Sequence, residues 1–266
     1  MPLAKSCYSQ NNIKTSKTLK LGTLFEYRET EIKEIADEKE GTFEFSFFFD
    51  GEVSIKPVIY NTLAGGLMQL GPVGGIRFPG RASATFDSLT LVSQNADTIV
   101  LKDSKGIIRR EVLNSFIFCM SHVRKTTHCH GIFPNYDDYW YAHDCNAEKI
   151  AHILMQLLLK QIQKNQKNGQ HIIPPDINAN EIDVNVFFGN VKYTDRNLHF
   201  NNHSIHELED IIHRMHHMAF IKTPTPFERE KEYRFHFIIT HKNRIIEPLC
   251  RHLILNECDE LLPYVF

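Results

Sequence analysis

No run of apolar residues in this 266-residue chain approaches the ~20 that a membrane-spanning helix needs, so residence in a bilayer is not expected. No C-x-x-C pair occurs among the six cysteines, Cys7, Cys119, Cys129, Cys145, Cys250 and Cys258. A chain this long buries a core without a disulfide framework, so reduced thiols in a cytoplasmic protein are the expectation. Charge of one sign is also lacking, because 30 Lys and Arg stand against 32 Asp and Glu. That balance gives no whole-chain pull toward nucleic acid and leaves only a local basic groove as a route to it. The first 20 residues hold four lysines and no apolar stretch, which argues against a secretory signal. Repeats and low-complexity segments are missing. So are three catalytic signatures: a Gly-Lys-Ser/Thr phosphate loop, a G-x-S-x-G elbow and a His-Glu-x-x-His pair.

Hydrophobic content of 42% and charged content of 23% are those of a folded globular protein. Its Ile, Lys and Asn content fits an AT-rich bacterial genome. The patterning is α+β, with a mixed or antiparallel β-rich core and two main helices. Residues 1–16 read as an irregular lead-in and 17–266 as a single domain. Alternation predicts strands over 18–28, 83–92, 98–102, 107–112, 136–142, 182–193 and 245–255, and a buried central strand over 116–120 ending at Ser121. Residues 42–49 and 53–60 flank Asp50-Gly51 and read as a hairpin. The acidic stretch 29–41 is a short helix or a wrapped loop. One helix is expected from Asn146 as N-cap to Asn168, with Gly169 ending it. A second starts at a Ser204/Glu207 capping box and carries Ile205, Leu208, Ile211, Ile212 and Met215.

Chemistry concentrates near the C-terminal end. Glu228, Glu230 and Glu232 alternate into 233–239, and strand parity sets Glu230, Glu232, Arg234 and His236 on one face. Tyr233, Phe235, Phe237 and Ile239 fall on the other, a core face. The polar face is either a solvated outer surface with a weak ion pair or a carboxylate aimed into a cleft. A fixed carboxylate there would stabilise an oxocarbenium-like transition state or hold a ribose hydroxyl. Ser121, ending a buried strand, can orient a neighbouring carboxylate or simply terminate the strand. Arg28 suits phosphate through its planar fork, or is a surface residue between Glu26 and Glu29.

Other clusters are compatible with bland roles. His206, Asp210, His213 and His217 share a helix face, where imidazole and carboxylate one turn apart can ligate zinc or simply meet solvent; His128-Cys129-His130, near His122, is too close-spaced for a site, and no metal ligand set is assigned. Tyr136, Tyr139, Trp140 and Tyr141 suit ring stacking or core packing. The segment 65–80, with six of the thirteen glycines, is a substrate-covering lid or a long connection.

Three pieces together resemble a widespread bacterial family of uncharacterised function: Leu21-Gly22-Thr23-Leu24 with Tyr27-Arg28, Cys119-Met120-Ser121, and Glu230-Lys231-Glu232-Tyr233-Arg234. In the same order they are similar to the Arg–Ser–Glu arrangement of ADP-ribosyltransferases, although the usual Ser-Thr-Ser is Met120-Ser121-His122 here. The resemblance implies two packed sheets and NAD as substrate. It puts Arg28, with Tyr27 beside it, on the NAD phosphate or ribose. It makes Ser121 the residue that orients Glu232, and Glu232 the holder of the nicotinamide ribose. Glu230 then helps activate a protein or nucleic-acid acceptor. Two rivals stand beside this reading. One is a metal-dependent nuclease built on Glu228, Glu230 and Glu232 with Lys231; the other is a non-enzymatic module whose polar strand face meets another protein.

Overall fold

The computed structural model describes residues 1–30, 36–215 and 217–266, together with all side chains in that range except those of Ile211, His213 and Arg214. The class is α+β, as the patterning implies. Where the sequence suggests one domain from residue 17, the chain falls into two compact units. The first comprises Met1–Glu40, Asn114–Tyr193 and Lys222–Phe266; the second comprises Gly41–Leu113 and Thr194–Ile221. No helix among the described residues is long and apolar enough to cross a membrane.

In the first unit an eight-stranded sheet is built entirely from antiparallel pairs. Its centre is the pair Phe116–His122 and Glu232–His241, whose register sets Phe116, Phe118 and Met120 opposite Phe237, Phe235 and Tyr233. These side chains form one face of the core, with Phe118 and Phe235 centroids 6.0 Å apart. Helix Ala147–Lys167 packs Ile150, Leu154, Leu157, Leu158 and Ile162 into the same core, the stripe its 3.6-residue period predicts. Gly169 ends this helix at φ +75°. Gln170 N–H donates to Asn165 O and Gly169 N–H to Gln166 O, the paired bonds that satisfy the last carbonyls.

Residues 1–16 are not an irregular lead-in. Pro2–Cys7 is a strand, paired on one side with Asp138–His143 and on the other with Phe116–His122. The sheet forks at this second edge. Pro2–Cys7 pairs only through Leu3–His122 and Ala4–Ser121, whereas Leu19–Thr23 pairs only through Gly22–Ile117 and Thr23–Phe116. Between those contacts the edge of residues 118–120 is open to side chains, and Lys5 Nζ donates to Cys119 O at 2.9 Å in place of a strand amide.

The strand expected over 18–28 stops at Thr23. Its Oγ1 accepts from Glu26 N–H at 3.1 Å and caps helix Leu24–Glu29. The acidic stretch 29–41 lies partly in residues 31–35, outside the described residues.

The second unit holds a five-stranded sheet around the thirteen-residue strand Ile99–Glu111, which replaces two expected strands. Arg81–Gln94 pairs along one edge through three register shifts. Asp50-Gly51 does not close a hairpin, because Thr42–Phe48 and Glu52–Ile55 both pair with Ile99–Glu111. Gly51 N–H instead donates to Asp103 Oδ1 and accepts back at its carbonyl from Asp103 N–H. Residues 57–60, expected in a strand, open helix Pro57–Ala64, with Pro57 at its first turn and Gly65 at φ +61° ending it. Two main helices are therefore too few. At the expected capping box a 3-10 turn Ile205–Glu207 precedes helix Leu208–Met215, and Ser204 Oγ accepts from Asn201 N–H rather than capping.

Candidate functional site

The three glutamates do not alternate along one strand. Glu228–Glu230 form a 3-10 turn, Lys231 takes a left-handed conformation at φ +46°, and the strand begins at Glu232. Lys231 O still accepts from His122 N–H at 2.8 Å, so the ladder is preserved while the side chains are re-aimed. As a result Glu228 is exposed, whereas Glu230 and Glu232 converge on one cation, Lys222.

From Glu232 onward parity holds. Glu232, Arg234 and His236 share a face and lie opposite Ser121, Cys119 and Ile117 on Phe116–His122. The expectation of a solvated surface is overturned, because this face is interior. Glu40, Lys222, Glu230, Glu232 and Arg234 are each at most 6% exposed. They form a continuous chain of ion pairs. Arg234 forks onto Glu40 through Nη1–Oε1 (2.7 Å) and Nη2–Oε2 (3.2 Å), and its Nε donates to Glu232 Oε1 at 2.6 Å. Lys222 Nζ donates to Glu232 Oε2 at 3.0 Å and to Glu230 Oε2 at 2.8 Å. Buried charges persist only when paired and hydrogen-bonded in this way. Three carboxylates and two cations leave one negative charge, and Lys5 lies nearby on the same cleft.

The electrostatics separate the two glutamates. Burial alone would raise the Glu232 carboxyl, but Arg234 and Lys222 more than reverse this and hold it well below the usual carboxylate range. Glu230 has Lys222 in its favour as its hydrogen-bonded cation, and Arg234 only through its more distant charge. Burial, with the Glu232 charge adding to it, pushes Glu230 up to about 7. Burial would lower Lys222, yet the two glutamates raise it. Lys5 is lowered by burial. The Cys119 thiol and the Tyr27 phenol are both raised, by burial first and then by neighbouring negative charge. His236 is lowered to about 3 by burial and by Arg234, and its neutral ring shares a 2.6 Å hydrogen bond with Ser115 Oγ.

A cleft of about 80 Å³ opens beside this network. At roughly 10–15 Å³ per enclosed water, it has room for about six waters or one end of a larger ligand. Of the residues singled out in the sequence, Glu230, Glu232, Ser121 and Tyr27 all line it, with Phe133 and Tyr136 forming aromatic wall. Ser121 faces Glu232 across the strand pair, but Glu232 is positioned by Arg234 and Lys222; among the described residues no hydrogen bond from Ser121 reaches it. Tyr193 supports the strand start, its hydroxyl accepting from Glu232 N–H at 2.8 Å.

Arg28 does not line the cleft. Its Nε donates to Glu40 O, and its guanidinium lies 4.4 Å over the Phe25 ring. The reason is local, since the helix capped by Thr23 turns residue 28 away from the position a continued strand would give it. Of the aromatic group, Trp140 belongs to the core and Tyr136 to the cleft.

Sequence reasoning missed Lys222, Glu40 and Lys5. Glu40 carried no signal, and Lys222 only a weak one, a lone lysine after the apolar stretch Met218-Ala219-Phe220-Ile221. Among the described residues no group of three His, Cys, Asp or Glu side chains is arranged to hold a metal. His122 is taken up by Asn190 and Asp144, and the six cysteines are free thiols. In comparisons with protein-family models, curated proteins and solved structures, nothing matches this chain.

Proposed function

We propose that the first unit is an ADP-ribosyltransferase-like enzyme that cleaves NAD in the forked-sheet cleft and passes ADP-ribose to a protein or nucleic-acid acceptor. The observation that carries this reading is the convergence of Glu230, Glu232 and Ser121 on one partly enclosed cleft, with two glutamates of opposite pKa shift. In the reaction the C1′–N bond of the nicotinamide ribose breaks. Its electron pair passes to the ring nitrogen, whose positive charge it cancels, and a cation is left on the ribose. Glu232, ionised at every working pH, holds a ribose hydroxyl and faces that cation. An acceptor X–H closes on C1′ and gives its proton to Glu230, whose carboxyl is near half-ionised at neutrality. Arg234 and Lys222 fix the glutamates before substrate arrives and so limit reorganisation during the reaction.

Glu232→Gln is not a fold-neutral test. It removes the negative charge between two buried cations, and the cost is about 3–5 kcal/mol. Glu230→Gln is the cleaner variant. Wild-type protein is expected to release nicotinamide from NAD, and Glu230→Gln to lose at least about 100-fold of that rate with unchanged circular dichroism. Absence of both nicotinamide release and an NAD-induced melting shift in the wild type overturns the reading.

A second reading rests on the same network. Every buried carboxylate in it has a cation, which suits a cross-link that locks a non-catalytic binding module. Under it Glu230→Gln changes stability, and NAD neither binds nor turns over.

A further inference from the structure

The glycine-rich segment expected to be a lid or a connection is held in place by hydrogen bonds. It is pinned to helix Pro57–Ala64. Asn61 Nδ2 donates to Leu70 O and Val73 O at 2.7 and 2.6 Å, Asn61 Oδ1 accepts from Leu70 N–H, and Thr62 Oγ1 accepts from Ile76 N–H. Gly75 lies so close to this helix that a Cβ would stand 2.3 Å from the Asn61 carbonyl carbon and the Thr62 nitrogen. The pinned loop borders a partly open cavity of about 270 Å³ within the second unit, lined by other residues than the cleft described above.

Its lining contains two arginines and no Asp or Glu. Arg110 is only 5% exposed and donates to Phe78 O at 3.3 Å, with no carboxylate partner among the described residues. A guanidinium carries five N–H donors, so most of its capacity is left for an occupant. An uncompensated buried cation is costly, which makes the cavity a place where an anion is stabilised. Gly65 is part of the construction, since a Cβ at that position would meet Arg110 Nη1 at 1.7 Å. The amides of Gly74 and Gly75 donate to no described group, and glycine backbones allow the close approach that oxyanions require.

We propose that Arg110, Arg77 and the 65–80 loop form a binding site for the phosphate group of a small phosphomonoester. Two cations without a neighbouring acid match a dianion better than a single carboxylate, and Arg110 presents the planar fork that phosphate oxygens take bidentately. The volume falls just below the ~300 Å³ at which ligand pockets usually begin, so the ligand body is about the size of a triose or a small sugar.

The test uses the full chain with inorganic phosphate, glycerol 3-phosphate and acetate at matched ionic strength, read by melting temperature and calorimetry. Both phosphates are expected to raise the melting temperature and acetate is not. Arg110→Gln is expected to abolish the phosphate shift, and exposed Arg77→Gln to weaken phosphate binding by about tenfold. Amide NMR shifts of Gly74 and Gly75 during a phosphate titration read the site directly should Arg110→Gln fail to fold. Glu230→Gln is expected to retain the full phosphate shift, which separates this site from the NAD cleft. An equal response to acetate, no response to phosphate in the wild type, or a phosphate response undiminished in Arg77→Gln overturns the proposal.

Discussion

At the residue scale, Glu230 and Glu232 show how position within one buried network sets opposite properties on two identical side chains. Glu232 is clamped on both oxygens and stays ionised, whereas Glu230 shares a single lysine and titrates near 7. If Glu230 takes the acceptor's proton, ADP-ribose transfer rises with pH through about 7 and levels above it, and Glu230→Gln flattens that limb. A pH series of initial rates checks this. The face shared by Glu232, Arg234 and His236 was legible in the sequence, because strand parity needs only spacing. Its burial was not, since alternating polar residues look the same whether they meet water or a layer of countercharges. Glu40, which supplies that layer to Arg234, lies 194 positions away.

At the element scale, end signals outrank alternation in this chain. Leu19, Leu21, Thr23, Phe25 and Tyr27 alternate well, yet Thr23-x-x-Glu26 is a helix-start signature, and it prevails because Thr23 Oγ1 satisfies an amide that the strand would otherwise have to pair. Thr23→Ala is expected to cost about 1 kcal/mol in urea denaturation, with Thr23→Ser recovering most of it. Pro57 and Gly65 bracket a helix in the same readable way. Asp50-Gly51 misled for a different reason. A tight turn was available, but the long Ile99–Glu111 strand offered both flanking strands a better partner. The central strand over 116–120 and the long helix were legible because apolar content on both faces and a sustained 3.6-residue stripe leave few alternatives.

At the scale of the whole molecule, opposing protonation equilibria shape acid stability. His236, lowered to about 3 by burial and by Arg234, withdraws stability as pH falls below 6.5, because the unfolded ring takes up a proton first. Glu230, raised to about 7, acts in reverse and adds stability as pH falls from 7 to 4.5. Wild-type stability minus that of Glu230→Gln is therefore expected to grow by about 1.4 kcal/mol per pH unit on acidification across 4.5–7. Urea titrations at several pH values measure it. Below 4.5, Glu232, held low, joins His236 in withdrawing stability.

The central strand Phe116–His122 also has a consequence in time. Its three partners come from residues 2–7, 19–23 and 232–241, and the whole of Gly41–Leu113 lies between the early pair and the strand itself. On a ribosome adding about 5–20 residues per second, the two N-terminal strands wait several seconds for Phe116–His122 to emerge. The final strand follows only after a further hundred or so residues. Throughout that interval an apolar strand edge stands unpaired, so the steps of synthesis before residue 241 are the period in which a nascent chain of this protein has most need of a chaperone.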